Sequence, residues 1–197
     1  MEPVILVTDR LRLSATSAGD AQEVYAACQD PAVQRWIPAM PSPYGMEHAR
    51  EFVERTVPEG WRTDTAYNFA VRPRHGGPLL AAAGLHSPRG GTSWEVGYWA
   101  APDQRGHGYV TEAVLAVARW AFTDLACSRL EWRAEVGNTA SRAVVERAGF
   151  TLEGVLRAGM RGRGTVRDAW AASLLPSDLG LPSALPYLPA RSDAPGR

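Results

Sequence analysis

Alternating apolar and polar residues mark several short strands along the chain. In the segment Thr8–Ser14, Leu11 and Leu13 alternate with arginines, and in Arg129–Val136 every second residue is apolar. A repeat of two is the spacing of a strand with one buried face. The pattern and the flanking turn residues predict five further strands. These are Tyr67–Arg72, Leu79–His86, Trp94–Trp99, Phe150–Arg161 and Thr165–Leu174.

Apolar residues three to four positions apart predict helices. The longest is Gly108–Leu125, in which Val110, Val114 and Val117 fall on one stripe. Capping residues and helix breakers place the others. These are Ala18–Cys28, Glu47–Val57 and Asn138–Ala148.

Prolines and glycines predict where these helices end. Asp30-Pro31 is expected to stop the first helix, and Pro58 with Gly60 the second. Three prolines make Pro38–Gly45 a loop.

The order of the elements predicts a single α/β domain with a mixed central sheet of about seven strands and about four helices. The strand-helix-strand unit across residues 94–136 predicts a right-handed crossover between parallel strands. Five prolines fall among residues 176–197. We therefore expect a domain at 1–178 and a Pro-rich tail at 179–197.

Composition narrows the classes of partner. Of the 197 residues, 45% are hydrophobic and 21% charged, which is ordinary for a globular domain. All 21 basic residues are arginine, and 21 acidic residues balance them to a formal net charge of zero. This balance gives no support to binding of nucleic acid or of an anionic membrane.

The two cysteines, Cys28 and Cys127, stand far apart without a CxxC pattern or a nearby histidine cluster. This spacing predicts neither a metal site nor a disulfide framework. The segment Met1–Leu6 lacks the basic and apolar runs of a signal peptide, and no apolar stretch reaches the ~18 residues of a membrane span. The expected location is the reducing cytoplasm.

A glycine-rich turn, Arg105-Gly106-His107-Gly108, stands between a predicted strand and the longest predicted helix. Glycine permits unusual backbone angles and close approach of a ligand. The first amides of a helix have no partner within it, and the helix dipole favours an anion there. Two glycines in this place also suit a plain turn. The glycine patterns that bind nucleoside triphosphates or dinucleotides are absent.

The turn carries a resemblance to a known family. Arg105–Tyr109 followed by Thr111–Ala113 resembles the R-G-x-G-Y-x-T-E-A turn of GNAT-superfamily N-acetyltransferases. Further segments resemble the branch that acetylates ribosomal-protein N-termini. These are Thr8–Leu13, Glu95–Trp99, Asn138–Ser141, Glu146–Phe150 and Asp168–Leu174. The resemblance runs from about residue 7 to 178, with one departure at Val110, where the family usually has glycine or alanine.

The resemblance implies the GNAT fold, in which the fourth and fifth strands splay apart and acetyl-CoA lies between them. The cofactor's diphosphate would lie on the amides of the turn and its pantetheine arm along the fourth strand. No metal is implied. The residues that this assigns to cofactor binding are Val96, Gly97, Tyr98, Arg105, Gly106, His107, Gly108, Tyr109, Val110, Thr111, Asn138 and Ser141.

The resemblance also implies catalytic roles for Glu95 and Ser141. Glu95 would accept a proton from the substrate ammonium, directly or through water. Ser141 would lie near the cofactor's sulfur, where its hydroxyl protonates or only orients the departing thiolate. Taken alone, Glu95 is also compatible with an exposed strand residue, and Ser141 with an exposed first-turn serine.

The acceptor implied by the resemblance is a primary amine, of a protein N-terminus or of a small molecule. The acceptor side of the family's cleft corresponds to the region around Trp36 and Tyr44, and Trp99 is a further candidate for lining it. Four arginines near the last hairpin form either a solvated face or a docking patch for an acidic acceptor. These are Arg157, Arg161, Arg163 and Arg167.

The sequence therefore predicts an acetyl-CoA-dependent N-acetyltransferase in which the amine attacks directly in a ternary complex. A non-catalytic acyl-CoA-binding regulatory module is the alternative, and the presence of Glu95, Asn138 and Ser141 favours the enzyme. A homodimer is compatible with the branch.

Overall fold

The computed structural model describes residues 1–87 and 92–190. In this part of the chain eight strands form one mixed sheet in the order β1-β2-β3-β4-β5-β6-β8-β7. Their bounds are β1 Leu6–Val7, β2 Leu11–Ser14, β3 Ala66–Pro73, β4 Ala81–His86, β5 Ser93–Ala100, β6 Arg129–Glu135, β7 Thr151–Gly162 and β8 Thr165–Leu174. The predicted α/β class and mixed sheet are confirmed. The additional strand is β1, which forms a short hairpin with β2.

Helices cover both faces of this sheet. They are α1 Ala21–Cys28, α2 Pro31–Trp36, α3 Met46–Glu51, α4 Val57–Thr63, α5 Tyr109–Asp124 and α6 Thr139–Arg147. A π-helical segment, Phe52–Thr56, joins α3 to α4 without a break. Short 3₁₀ turns occur at Ala18–Asp20, Pro102–Gln104 and Pro176–Leu179.

Strands β5 and β6 are parallel, as predicted, but they pair over a short stretch. Ser93–Glu95 pairs with Arg129–Glu131. Beyond these residues the two strands diverge, while β5 stays paired with β4 as far as Ala100. A paired strand directs part of its backbone N–H and C=O groups to its other side. Past Glu95, β5 therefore has an open edge, which confirms the predicted splay.

Two hydrophobic cores lie on opposite faces of the sheet. The main core packs α4, α5 and α6 on one face, and its centre is an aromatic group around Trp61. The ring of Trp61 lies 4.8 Å from Tyr67, 5.2 Å from Phe69 and 5.9 Å from Trp120 between centroids. The second core packs α1, α2 and α3 against the other face, around Ala70.

The structure corrects two predicted helix boundaries. Asp30-Pro31 begins α2 and does not merely end α1, because the Asp30 side chain accepts from the Val33 amide at 2.9 Å and proline suits the first position of a helix. Pro58 does not end the next helix either. It is the second residue of α4, directly after the π-helical segment, and the helix continues through it to Thr63.

The C-terminal segment is partly tied to the domain. Pro176 is buried, and Leu179 and Leu181 pack against the main core. Residues 191–197 of the predicted tail lie outside the described residues. Within residues 1–87 and 92–190, no helix is long and apolar enough to cross a membrane. The same residues contain no group of three or more potential metal ligands.

Candidate functional site

The glycine-rich turn leads directly into α5. Gly106 and Gly108 have φ of +80° and +77°, angles that favour glycine. Gly108 is the N-cap residue of α5 and offers no side-chain cap, so the first amides of the helix are left for an external acceptor. A Cβ atom on Gly106 would project into open space. The turn therefore presents an exposed concave backbone at the positive end of a sixteen-residue helix.

Residues from the β1–β2 hairpin fix the position of this turn. The Arg10 guanidinium donates to the His107 carbonyl at 3.0 Å and to the Glu112 carboxylate at 2.6 Å. Thr8 Oγ1 donates to the same carboxylate at 2.5 Å. Burial alone would raise the pKa of Glu112, but the bonds from Thr8 and Arg10 outweigh it and lower the pKa. Glu112 therefore stays charged and anchors the hairpin to the first turn of α5.

The side chains of two predicted cofactor-binding residues contact other parts of the protein. The Arg105 side chain extends to Asp30 at the start of α2, with Nη2 2.7 Å from the carboxylate. The Val110 side chain is half-buried against the main core. The valine at this departure from the family pattern therefore points inward and leaves the outer face of the turn free.

A compact hydrogen-bond network lies at the start of α6, facing β5 and β6. Asn138 Oδ1 accepts from the Ser141 amide at 3.2 Å, so Asn138 caps the helix as predicted from its residue type. Ser141 Oγ accepts from Trp132 Nε1 at 3.2 Å and lies 3.0 Å from Tyr98 Oη. Tyr98 Oη donates to the Ser141 carbonyl at 2.8 Å. The serine hydroxyl is thus held between two aromatic side chains and is not a free surface group.

Desolvation keeps the Tyr98 phenol neutral. Burial raises the pKa of Tyr98 far above its usual range, and the bonds to Ser141 and Trp132 only partly offset this effect. A neutral phenol can both accept from the Ser141 hydroxyl and donate to the Ser141 carbonyl. Tyr98 was predicted at the site for its backbone, whereas the role of its side chain was not predicted.

Glu95 lies at the last paired position before β5 and β6 diverge. Arg133 on β6 binds one oxygen of its carboxylate, with Nε at 3.0 Å and Nη2 at 2.5 Å from Oε2. The other oxygen, Oε1, has His86 Nε2 at 3.8 Å. The side chain is 15% exposed. Glu95 is therefore a positioned carboxylate with one oxygen facing a histidine, and not the exposed strand residue of the alternative reading.

The three residues predicted to contact the acceptor lie in different surroundings in the structure. Trp36 lies half-buried at the end of α2 and reaches Gly137, next to Asn138. Trp99 packs at the edge of the second core, on the same face of the sheet as Glu95. Tyr44 is 8% exposed and belongs to the second core, so its prediction as an acceptor contact is not supported by its position.

The charged residues that hold the site together were not predicted from the sequence. Arg10, Asp30 and Arg133 each form an ion pair or hydrogen bond to a predicted site residue. The separations in the chain are 97, 75 and 38 residues, respectively. Of the three, only Arg133 could have been connected to the site from the sequence, because it lies two residues along β6 from Glu131, which pairs with Glu95.

Comparison with known proteins identifies close matches in sequence. A family model described as an acetyltransferase (GNAT) domain matches residues 10–151. A proposed ribosomal N-acetyltransferase of Bacillus subtilis, YdaF, is 32% identical over 144 residues, which are 72% of this chain and 76% of that relative.

Solved structures share the fold. A proposed ribosomal-protein-serine acetyltransferase from Vibrio cholerae has a TM-score of 0.76 at 25% identity and covers 89% of this chain and 100% of its own. The microcin C7 self-immunity acetyltransferase MccE, solved in complex with acetyl-CoA and AMP, has a TM-score of 0.73 at 21% identity. It covers 85% of this chain and 93% of its own.

Proposed function

The chain belongs to the GNAT acetyltransferase family, and we propose that it uses acetyl-CoA to acetylate a primary amine. The observation that carries this proposal is the meeting of an anion-binding turn with the open edge of β5. Acetyl-CoA combines a diphosphate with an amide-containing arm, and these two features match a row of free amides beside an unpaired strand edge. Bound there, it supplies an acetyl thioester.

The residues fit this cofactor. The amides of the segment Gly106–Thr111 would bind the diphosphate, and the backbone of Val96–Tyr98 would pair with the arm. The open space at Gly106 and the inward direction of Val110 leave room for the phosphates. Gly97 leaves similar open space beside β5 for the arm, because a Cβ atom there would meet nothing within 4 Å.

The side chains around the open edge have distinct tasks. Backbone N–H groups of β5 would stabilise the oxyanion that forms on the acetyl carbonyl. Ser141, held by Trp132 and Tyr98, would donate a hydrogen bond to the sulfur as the thiolate leaves. Glu95, with Oε2 bound by Arg133, would accept the amine's proton through Oε1.

Direct attack by the amine is the simplest route, because neither cysteine is a suitable nucleophile. Cys28 and Cys127 are both buried, and desolvation raises the pKa of each thiol to about 11. At neutral pH both are therefore protonated, whereas the thiolate is the nucleophilic form.

For the acceptor we favour the amine of a protein N-terminus over that of a small molecule. The name of YdaF, a proposed ribosomal N-acetyltransferase, supports this choice. A cytoplasmic location, a homodimer and a domain boundary near residue 178 complete the proposal.

The test is acetyl-CoA binding by isothermal titration, with Gly108→Val beside the wild type. Valine at a φ of +77° is strained by about 1–3 kcal/mol, so the turn must distort, and we expect affinity to fall at least tenfold. Gly180→Val is the matched control, because Gly180 has a φ of +68° and open space around it, away from the turn.

Release of free CoA with a panel of amines is measured on the same preparations. Binding that Gly108→Val weakens and Gly180→Val does not, together with CoA release, supports the proposal. Binding without release for any amine would favour the regulatory acyl-CoA-binding module. Absence of binding to the wild type would overturn both readings.

A further inference from the structure

A cavity of about 180 Å³ opens where three distant segments of the chain meet. The segments are the end of α2 with the loop after it, the end of β6, and the β7–β8 hairpin. Its lining includes three arginines, one carboxylate and two apolar side chains. These are Arg35, Arg163, Arg167, Glu135, Pro38 and Met160. We call this cavity the arginine pocket.

The charges in the arginine pocket do not balance. Glu135 is its only carboxylate among the described residues, and it is shared: Arg35 binds it with both terminal nitrogens, at 2.6 and 2.8 Å, and Arg167 lies 3.5 Å away. Arg163 donates at 2.5 Å to the Gln34 carbonyl, which carries no net charge. Three guanidinium groups thus face one carboxylate, which leaves an excess of two positive charges.

The pocket is held in shape by close packing of its walls. A Cβ atom on Gly162 would lie 2.2 Å from Pro38 Cβ and 3.0 Å from Pro38 Cα. The hairpin and the loop after α2 are therefore in contact at a point that has no room for a methyl group. The hydrogen bond from Arg163 to the Gln34 carbonyl joins the hairpin to the end of α2 beside this contact.

The arginine pocket adjoins the acceptor side of the site. Glu135 lies on β6 two residues beyond Arg133, which holds Glu95, and the rise of a strand makes this separation about 7 Å. Arg35 stacks on Trp36 with its Cζ 4.3 Å from the ring centroid, and Trp36 reaches Gly137 beside Asn138. A chain extended from an amine near Glu95 would reach the pocket with its second to fourth residue.

We propose that the arginine pocket binds a carboxylate carried by the acceptor a short distance from its amine. The preferred acceptor is then an N-terminal segment with an acidic residue among positions two to four, or a small amine of similar length that ends in a carboxylate. Guanidinium groups bind carboxylates through paired hydrogen bonds, and Pro38 and Met160 suit the methylenes of the acidic side chain. This inference rests on the proposed function, because it names the acceptor of that same site.

The experiment uses the full chain with saturating acetyl-CoA and measures release of CoA. Tetrapeptide amides differ only by aspartate in place of asparagine at the second, third or fourth residue. An ω-amino acid and its amide form the small-molecule arm. The pocket is changed by the double variant Arg163→Gln, Arg167→Gln. The control is Arg157→Gln, since Arg157 is an exposed arginine of the same hairpin outside the pocket.

We expect kcat/KM for the best aspartate peptide to exceed that of its asparagine partner by about tenfold, the value of a charge-assisted hydrogen bond. In the double variant this ratio should fall to about one, while the affinity for acetyl-CoA stays within about twofold. Arg157→Gln should keep the ratio. If only the ω-amino acid is preferred over its amide, and no aspartate peptide over its asparagine partner, the carboxylate belongs to a small molecule.

Turnover of all acceptors without a preference for the acidic ones would overturn this inference and leave the proposed function standing. A preference that survives the double variant would overturn it too. Failure of every acceptor to release CoA would count against the proposed function itself, and against this inference with it.

Discussion

The turn side of the site comes from one stretch of chain, whereas the acceptor side joins segments that are far apart. Strand β5, the glycine turn, α5, β6 and the first turn of α6 all lie between residues 93 and 141. The arginine pocket instead links Arg35 to Glu135 and Arg163 to Gln34, across 100 and 129 residues. The turn side takes its binding groups from this one stretch, although Arg10 fixes the turn from the β1–β2 hairpin, whereas the acceptor side is built by arginine contacts between distant segments. Changes on the two sides should therefore have separable effects.

The largest effect on turnover is expected for Ser141→Ala. If its hydroxyl assists departure of the thiolate, kcat should fall by about 100-fold while acetyl-CoA affinity changes little. Tyr98→Phe should lower kcat less, because it frees the Ser141 hydroxyl from one of its two partners. Stopped-flow detection of free thiol measures both.

Ser128→Ala serves as the control, since this hydroxyl bonds to the carbonyl and hydroxyl of Thr92, just before β5, and not to the Ser141–Tyr98 network. An unchanged kcat for Ser141→Ala would remove Ser141 from the mechanism. Equal losses of kcat and of acetyl-CoA affinity would assign the Ser141–Tyr98 network to binding.

Gly162→Ala should disturb the acceptor side alone. The added methyl group must displace Pro38, which we expect to lower the free energy of unfolding by about 1–3 kcal/mol and to raise KM for the acceptor. Affinity for acetyl-CoA should remain that of the wild type. Urea unfolding and the two binding constants test this.

The control for this change is Gly19→Ala, because a Cβ atom on Gly19 would meet only Ser17 Oγ, at 3.7 Å. Loss of acetyl-CoA affinity in Gly162→Ala would show that the two sides are coupled, and their effects would then not be separable.

Acid should destabilise the packing of α1 through the two carboxylates that bind Arg72, those of Asp20 and Glu23. Glu23 lies in α1 itself. Hydrogen bonding from Arg72, at 2.5 Å, lowers the pKa of this carboxyl from its ordinary 4.5. A lowered folded-state pKa gives stability that is fully present above the unfolded value and is lost as pH falls through the folded value. The melting temperature should therefore drop below about pH 4.5, and less steeply in Arg72→Met.

Thermal unfolding between about pH 6 and pH 3 measures this dependence. Arg50→Met is the control, because Arg50 is an exposed arginine without an ion pair among the described residues. If the melting temperature falls equally steeply with acid in Arg72→Met and in the wild type, the carboxylates that bind Arg72 are not the cause of the loss.

The smallest effect is expected for Val110→Ala. Because this side chain packs inward, its truncation should cost about 1 kcal/mol of stability and leave acetyl-CoA affinity within twofold of the wild type. Tighter binding by the alanine variant would show that the valine crowds the turn after all. Isothermal titration and a thermal melt distinguish these results.

The same contrast explains how much could be predicted from the sequence. Period-two and helical patterns located the sheet, α5 and α6, because these elements bury a continuous stripe. The turn was predicted because its glycines and its family motif are contiguous. The helix α2 was missed because Asp30-Pro31 was interpreted as a stop, although a capping aspartate before proline is also a start.

The features that the sequence did not reveal are contacts between distant segments. Arg10 and Asp30 could not be assigned to the site from spacing, since their partners lie in other elements. Tyr44 was placed with the acceptor residues from its neighbourhood in the chain, but packing of α1 and α3 buries it. Packing between distant segments decides whether a loop residue is buried or exposed, and the local sequence pattern does not reveal that packing.

The π-helical segment Phe52–Thr56 has a consequence for tolerance of length changes. Val53, within it, packs in the second core, whereas Val57 and Trp61 pack in the main core, so one continuous helix serves both faces of the sheet. Each residue of a helix rotates the following side chains by about 100°. Deleting one residue here could keep the helix intact and yet turn Trp61 out of its aromatic cluster. At this point the number of residues matters more than their identity.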